Sequence, residues 1–408
     1  MLHPRETLRL MTEGEFSGAV RRLPADPGEL MSDPTPPRET PLRARHEALG
    51  ASFTDFGGWM MPVRYTSDLA EHHAVRTSAG LFDISHMAQF GVAGPDREAF
   101  LAYALAFDPS KLALSKAKYT MILAPSGGII DDLIVTRNAE DQFLIVANAG
   151  NRDAVREALT ERIDGFDAVL VELDDALIAV QGPRAREILE AVEGLDHDDD
   201  LAMGHTLESL PYYTAMGMRF GGGAVLVSRT GYTGEDGFEI SVDAADVGTL
   251  WDAVLAAGEP FGLTPAGLAS RDTLRLEAGM PLYGHELSLD VIPAQAGLGR
   301  VVPLRTKEAD FVGRAALESV IAADAPVLVG LVSAGKRAGR AGYAVLDADG
   351  TAVGEITSGA LSPTLQHPIA MAFVSPAVST PGTELAIDVR GTRIPATVTA
   401  LPFYRRTT

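Results

Sequence analysis

The sequence contains no cysteine among its 408 residues. This absence excludes disulfides, thiolate nucleophiles, thiolate metal sites and cysteine-ligated clusters. Any chemistry that the protein performs must therefore come from oxygen and nitrogen groups or from a bound cofactor.

Basic residues are scarce as well, because 34 lysines and arginines stand against 55 aspartates and glutamates, for a formal net charge of -21. Most of such a surface repels a nucleic-acid backbone, so we expect no nucleic-acid partner. An anionic ligand needs a local basic patch within this acidic field. Arginines near a candidate site are therefore informative.

Long apolar runs are absent too. No run reaches the roughly 18 residues that cross a bilayer, and residues 1–40 lack the apolar stretch of a signal peptide. The acidic residues of that region argue against a transit peptide. The sequence predicts a cytoplasmic protein without membrane contact.

Residues 1–37 show no sustained hydrophobic periodicity and end in the proline-rich run 33–37. This composition predicts a disordered N-terminal extension, with Met31 as a candidate for the true start. The rest of the chain is long and apolar enough for about two or three separate cores.

Beyond residue 40, helices and strands are interspersed without the regular alternation of a doubly wound sheet, which favours an α+β fold. Predicted helices are Arg43 to Leu49, Asp68 to Ala79 and Arg184 to Val192. Predicted strands are Ala88 to Val92, Ile129 to Thr136, Phe143 to Ala147 and Leu177 to Val180. Short strands then follow in what we predict to be a separate all-β domain: Val327 to Val332, Tyr343 to Leu346, Val353 to Ile356, Ile369 to Val374 and Leu385 to Val389.

Two adjacent carboxylates, Asp131 and Asp132, lie within an apolar strand. Successive strand residues face opposite sides, so each carboxylate shares its side with apolar neighbours. Burying a carboxylate costs several kcal/mol unless it is hydrogen-bonded or put to use. The pair either serves a functional site or caps backbone amides at a turn, and both interpretations stay open.

The glycine-rich segment 231–239 continues into a strand in which Phe238 and Ile240 share one face and Glu239 takes the other. A carboxylate there could accept two parallel hydrogen bonds from a ring edge that offers an N–H beside an amino group, as the pterin of folate does. The alternative is an exposed glutamate on an amphipathic hairpin.

Two arginines, Arg271 and Arg275, lie one turn apart on a predicted short helix that ends at Gly279. They are available to an anionic ligand or to ordinary surface ion pairs. The C-terminal segment 403–406 is either a basic tail or a cluster that faces a ligand.

Nucleotide and metal motifs are missing. Neither a G-x-G-x-x-G fingerprint nor a Gly-Lys-Ser/Thr loop occurs, which argues against flavin, nicotinamide and ATP. The nine histidines show no metal-ligand spacing, so we expect no metal. The segment Asp55 to Pro62 is predicted to be a flexible aromatic loop, with core packing at a chain turn as the alternative.

Taken in order, these segments resemble the T protein (aminomethyltransferase) family of the glycine cleavage system, from about residue 40 to the end. Besides the Asp131-Asp132 strand and the glycine-rich segment, the resemblance rests on Thr40 to Leu42, Phe56 to Pro62, His73 to Arg76, Leu81 to Met87, Gln181 to Pro183, Arg271 to Gly279, Ile356 to Gly359 and Ser362 to Leu365. Each stretch is weak alone, but their shared order is specific.

The resemblance implies an α+β fold with a three-domain cloverleaf around a central folate site. The domains it implies are residues 38–88 plus 174–270, residues 89–173 plus 271–325, and a C-terminal β-barrel of residues 326–408. The first two are discontinuous in sequence.

The resemblance also implies the reaction. An aminomethyl group on the lipoyl arm of the H protein passes to tetrahydrofolate, the co-substrate, and ammonia is released without a metal. By their place in the family motifs, Asp132 is the catalytic aspartate, Glu239 and Arg271 match folate-binding positions, Tyr119, Tyr232 and Met87 lie near the ring, and Arg405 matches an arginine at the lipoyl-arm entrance.

Two departures from the family pattern concern the walls of the folate pocket. Arg300 stands where many members carry tryptophan, and Met280 where some relatives carry tyrosine. One alternative function is another folate-dependent transferase of this fold, acting on methylated amines or sulfonium compounds. A second is a folate-binding accessory protein without catalysis, whose signature includes a cysteine that this chain lacks.

Overall fold

The computed structural model describes residues 36–319 and 322–406. The predicted extension therefore lies outside the described residues except for its last two positions, and Met31 lies outside them entirely. Near the start of the described part, Arg38 pairs with Trp59 in an isolated β-bridge.

Short helices cover the faces of the sheets. The α-helices of the described residues are Arg43–Ala48, Asp68–Thr77, Arg97–Ala104, Arg152–Arg162, Ala185–Glu190, Val247–Gly258, Leu268–Glu277 and Arg314–Glu318. The second of these begins where the Ser67 side chain accepts the Ala70 N–H, which caps the helix. It ends at Thr77 rather than at the predicted Ala79, because Ser78 leaves the helical conformation and Ala79 opens a buried strand.

The larger sheet has seven strands, antiparallel except for the last pair. In spatial order they are Leu195–His197, Ala215–Phe220, Gly223–Ser228, Gly237–Val242, Ala176–Gln181, Ala79–Asp83 and Leu263–Pro265. The apolar face of this sheet forms a core that includes Phe238, Ile240 and Trp251, each 0% exposed. The strand alternation predicted around Glu239 is confirmed.

The second sheet has five antiparallel strands: Ala117–Leu123, Ile129–Ala139, Gln142–Ala147, Ala88–Ala93 and Val169–Leu173. The helices Arg97–Ala104 and Arg152–Arg162 supply side chains to its core. Asp131 and Asp132 lie in the second of these strands, next to the strand that ends at Ala147.

The C-terminal strands close into a barrel. In spatial order they are Val327–Ser333, Pro368–Val374, Ala352–Leu361, Ala344–Leu346, Glu384–Val389 and Thr392–Thr399, and the last pairs with the first. Closure removes the open edges that would otherwise invite pairing with other chains. The strand that ends at Thr399 was not predicted. It contains Pro395, which lies at an exposed position of the strand.

The predicted flexible loop of residues 55–62 is wrong, because these residues form a β-hairpin of Ser52–Phe56 and Trp59–Arg64. Gly57 and Gly58 make its turn with φ values of 58° and 81°. A tight hairpin turn requires positive φ at both positions, which glycine adopts without strain.

The helix Leu268–Glu277 occupies the middle of the molecule. It begins three residues before the predicted Arg271 and contacts the hairpin, the helix Asp68–Thr77 and two barrel strands. The strands of each sheet, and those of the barrel, come from one of the three sequence ranges that the resemblance implies. Among the residues that the structure describes, the one difference is the strand Ala88–Ala93, which begins one residue before its range of 89–173. On this ground we propose those ranges as the domain boundaries.

Candidate active site

A cavity of about 860 Å³ lies where the two sheets, the hairpin and the barrel meet. Its lining takes side chains from each of these parts, among them Phe56, Met87, Tyr119, Asp132, Asn148, Thr230, Tyr232, Glu239, Arg271 and Ser358. Small-molecule sites typically enclose about 300–1,000 Å³. Six of the seven residues assigned to the site from the sequence line this one cavity.

The two adjacent aspartates have different surroundings. Asp131 is 0% exposed and accepts the Asn148 backbone N–H at 2.8 Å, the Asn148 side-chain amide at 2.8 Å and the Asn151 amide at 2.6 Å. Asp132 faces the cavity and accepts the Tyr119 hydroxyl at 3.1 Å and the Asn148 amide at 2.8 Å. One carboxylate thus anchors the loop after the next strand, and the other remains available to a ligand.

Burial raises the pKa of both carboxyls above their ordinary range, and the charge of Asp132 raises that of Asp131 further. The amide and hydroxyl donors oppose this shift because they stabilise the ionised forms. Burial and the Asp132 charge also raise the pKa of Tyr119, so its hydroxyl keeps its proton and donates. Asp132 is therefore a poorly solvated carboxylate that binds a proton or a cation more readily than a surface aspartate.

The sequence did not reveal Asn148, although its side chain bridges both aspartates. It follows the strand Gln142–Ala147 directly, and that strand neighbours the one that carries Asp131. In an antiparallel pair, the end of one strand lies beside the start of its neighbour. A polar residue directly after Ala147 could therefore have been predicted to lie near Asp131 and Asp132.

Glu239 lies on the cavity side of its strand, half-buried rather than exposed. The Thr230 hydroxyl donates to its Oε2 atom at 2.5 Å. Within the described residues, its Oε1 atom has no hydrogen-bond partner. The carboxylate therefore has one fixed oxygen and one that is open to a donor in the cavity.

The Arg271 guanidinium makes no hydrogen bond within the described part of the chain, and its Nη1 atom is fully buried. It lies over the rings of Tyr232 and Phe82, 5.1 and 5.8 Å from their centroids. Burial lowers its pKa, while the charge of Glu239 opposes that shift. A buried cation without a partner is costly unless a ligand supplies an acceptor.

Arg275 is the second arginine that the sequence makes available to an anionic ligand or to ion pairs. It lines the cavity but is already paired with Glu286 at 3.1 Å, with Asp272 at 2.8 Å and with the Ser358 hydroxyl at 2.7 Å. These partners join its helix to the barrel. Arg275 therefore has a structural role in this arrangement.

The remaining predicted residues differ in position. Tyr232 lines the cavity and donates its hydroxyl to the Pro281 carbonyl at 2.5 Å. Met87 lines it and packs on the buried cluster around Ile84. Arg405 is exposed and lies outside the cavity lining, so its role stays a prediction.

A second charged group, which we call the interdomain cluster, consists of His72, Arg76, Glu235 and Glu277 with their hydroxyl partners. Glu277 is 0% exposed. It accepts from Arg76 at 2.8 Å, from the Ser362 hydroxyl at 2.5 Å, and from the Thr364 N–H and hydroxyl at 3.0 and 2.8 Å. His72 lies 3.2 Å away.

Burial opposes ionisation of Glu277, but the hydrogen bond and charge of His72, followed by Ser362 and Arg76, outweigh it and lower its pKa to about 2. Arg76 also donates to Glu235 at 2.9 Å, which in turn accepts the Tyr404 hydroxyl at 2.8 Å. This cluster ties the first sheet's domain to the barrel and to the C-terminal segment.

Neither a metal site nor a membrane span is found in the residues that the structure describes. Across 36–319 and 322–406, no group of three histidines, cysteines or carboxylates could hold a metal ion. In the same residues, no helix has the length and apolar character to cross a membrane.

Fold and site define a three-domain α+β protein with a closed C-terminal barrel and a central cavity that offers two carboxylates and an unpaired arginine. Residues 42–306 match the GCVT N-terminal domain family, and residues 327–405 match the glycine cleavage T-protein C-terminal barrel domain family. The chain belongs to this family, the aminomethyltransferases of the glycine cleavage system.

Individual relatives agree over nearly their whole length. The chain is 53% identical to an aminomethyltransferase from Cutibacterium acnes, over 90% of this chain and 99% of the relative. It is 43% identical to one from Anoxybacillus flavithermus, over 91% and 99%. The crystal structure of glycine cleavage system aminomethyltransferase T from Bartonella henselae matches with a TM-score of 0.82 at 36% identity, covering 90% of this chain and 98% of that one.

Proposed function

We propose that the chain takes the aminomethyl group from the lipoyl arm of an H protein and transfers its methylene to tetrahydrofolate. The products are methylenetetrahydrofolate, ammonia and the dihydrolipoyl arm. The observation that carries this proposal is the convergence of Asp132, Glu239 and Arg271 on one cavity of a chain from this family. We also propose a cytoplasmic location, on the composition of the sequence.

Glu239 is suited to recognise the pterin. A carboxylate can accept two parallel hydrogen bonds from a ring N–H and the neighbouring amino group. The Thr230 hydroxyl orients Glu239 through Oε2 and leaves Oε1 open to the cavity. A flat ring bound there would lie beside Tyr232 and Met87, which line the same space.

Arg271 supplies the positive potential that an anionic folate needs within a chain of net charge -21. Its buried Nη1 atom has no acceptor among the described residues. An acceptor on the ligand would satisfy this donor, and a hydrogen bond to a charged group contributes about 1.5–3 kcal/mol.

Asp132 is suited to the chemical step. When the folate amine attacks the methylene iminium, positive charge develops beside the attacking nitrogen. A poorly solvated carboxylate stabilises that charge and orients the amines. Tyr119 and Asn148 hold Asp132 in place, so the carboxylate needs little reorganisation during the reaction.

The family departures affect the cavity unequally. Met280 lines it, whereas Arg300 is exposed and lies outside the lining, with Leu298 of the same turn on the wall. We propose that Arg405, exposed at the C-terminal segment, contacts the lipoyl arm of the H protein.

The test is Asp132→Asn in a reconstituted assay that supplies tetrahydrofolate and an H protein with the aminomethyl group on its lipoyl arm, and that measures the tetrahydrofolate-dependent release of ammonia. We expect the rate of release to fall by about 10²–10⁴-fold, because the charge that stabilises the transition state is lost. Asp141→Asn, in the exposed turn after the same strand, is the matched control and should leave the rate unchanged. An unaffected rate in Asp132→Asn would remove this residue from the chemistry.

The same assay separates the alternative transferase. If the wild-type protein binds tetrahydrofolate but releases no ammonia from the aminomethylated H protein, the donor is a different amine or sulfonium compound. Full tetrahydrofolate-dependent release of ammonia would exclude the accessory-protein alternative.

A further inference from the structure

Tyr213 lines the cavity but belongs to none of the motifs that identified the family. Its φ is 56°, in the left-handed region. Residues other than glycine are uncommon there, and a bulky one is a genuine outlier. Such a conformation persists only where the surrounding structure fixes the residue, and it is concentrated at functional sites.

The backbone of Tyr213 is fixed by both sheets. Its N–H donates to the Arg229 carbonyl at 3.0 Å, and its carbonyl accepts from the Ala117 N–H at 2.9 Å. Two residues after Tyr213, the Ala215 N–H donates to the Ser115 carbonyl at 2.7 Å, and Ser115 itself has a φ of 64°. The side chain is therefore presented where the domain of Glu239 meets the domain of Asp132.

The hydroxyl of Tyr213 is unsatisfied by the residues that the structure describes. It has no hydrogen-bond partner in the described part of the chain, although its ring packs edge-on against Tyr212 with centroids 4.9 Å apart. Burial raises its pKa, and Tyr212, Glu239 and Asp132 raise it further, so the phenol keeps its proton. Tyr213 lines the same cavity as both carboxylates.

A partly buried hydroxyl without a protein partner is ready to bond to a ligand. If Glu239 binds one end of a planar ring and the reacting amine of that ring faces Asp132, the ring occupies the space between these two carboxylates. Tyr119 and Asn148 also lie near Asp132, but both already donate a hydrogen bond to it.

We propose that the Tyr213 hydroxyl is a further substrate-binding group, which hydrogen-bonds a polar atom of the pterin between the edge read by Glu239 and the amine that faces Asp132. The inference rests on the proposed function. It gives a residue outside the family motifs a part in aligning the ring with the catalytic carboxylate.

The test is Tyr213→Phe, which removes only the free hydroxyl and keeps the ring and the backbone. Because that hydroxyl has no protein partner, the melting temperature should not change. We expect the Kd for tetrahydrofolate, titrated without oxygen, to rise about 2- to 12-fold, which corresponds to the loss of one hydrogen bond. The KM for tetrahydrofolate should rise in parallel with little change in kcat, as for an interaction present in both ground and transition states.

Tyr212→Phe is the matched control, because Tyr212 is 45% exposed and lies outside the cavity lining. Its Kd should equal that of the wild type. An unchanged Kd in Tyr213→Phe, or an equal weakening in both variants, would overturn the inference. Failure of the wild-type protein to bind tetrahydrofolate would instead overturn the proposed function on which the inference rests.

Discussion

The interdomain cluster and the cavity set of Asp132, Glu239 and Arg271 are built partly from the same pieces of chain. The helix Leu268–Glu277 gives Glu277 to the cluster and Arg271 to the cavity. The glycine-rich segment likewise gives Glu235 to the cluster and Glu239 to the cavity. Charge type and sequence position therefore do not distinguish structure from function here.

What distinguishes the two regions is whether the charged atoms have partners. Both carboxylate oxygens of Glu277 accept hydrogen bonds from several donors. Arg271, two turns earlier on the same helix, makes no side-chain hydrogen bond within the described residues. Buried polar groups in proteins are nearly always satisfied, so an unsatisfied one points to a ligand. We propose that the cluster, in which Glu277 is fully paired, serves stability. We propose that the cavity set, in which Arg271 and one oxygen of Glu239 lack a hydrogen-bond partner among the described residues, serves binding.

Among the variants that test this comparison, Glu277→Gln should have the largest effect on the free energy of unfolding. Removing one partner of a buried ion pair leaves Arg76 and His72 uncompensated, and we expect a loss of about 3–5 kcal/mol in the free energy of unfolding. Denaturant titration measures it. Glu47→Gln, on an exposed helical ion pair with Arg43, should cost less than about 1 kcal/mol. Equal losses in both variants would show that the cluster is no more than surface pairing.

The pH dependence of the free energy of unfolding, compared between wild type and Glu277→Gln, tests the same assignment. The pKa of Glu277 is lowered from 4.5 to about 2, so its ionisation stabilises the folded state by about 3 kcal/mol. For a lowered carboxyl pKa, this contribution is complete above pH 4.5 and disappears as pH falls toward 2. The stability difference between wild type and Glu277→Gln should shrink over that range, and a constant difference would contradict the assignment.

Arg271→Met should produce the opposite pattern. Because no protein hydrogen bond is broken, we expect the free energy of unfolding to change by less than about 1 kcal/mol, most of it from the contact with Tyr232. The Kd for tetrahydrofolate should rise about 10- to 100-fold. Arg275→Met, which breaks the pair with Glu286, should instead lower stability clearly. Equal losses of stability in the two variants would contradict the assignment of Arg271 to binding and of Arg275 to structure.

Several features of the fold and of the site could be predicted from the sequence. Alternation along a strand placed Glu239 opposite Phe238, and the apolar surroundings of Asp131 and Asp132 showed that the pair is unusual. Short strands and turns predicted the separate all-β domain, apart from the strand that contains Pro395, and the family resemblance implied that this domain is a barrel.

Other parts needed the tertiary structure. The bridging role of Asn148 depends on register between neighbouring strands, and the position of Tyr213 depends on a junction with residues about a hundred positions away. The different roles of Arg271 and Arg275 depend on Glu286 and Ser358. Local periodicity cannot report such long-range partners.

The most direct test of the central claim, that this cavity recognises a pterin through Glu239, is titration of tetrahydrofolate into Glu239→Gln. The amide keeps the shape but replaces one acceptor oxygen by a donor, and we expect the Kd to rise at least about tenfold. Glu235→Gln, outside the cavity lining, should bind as the folded wild-type protein does. A Glu239→Gln protein that binds tetrahydrofolate with wild-type affinity would contradict the claim.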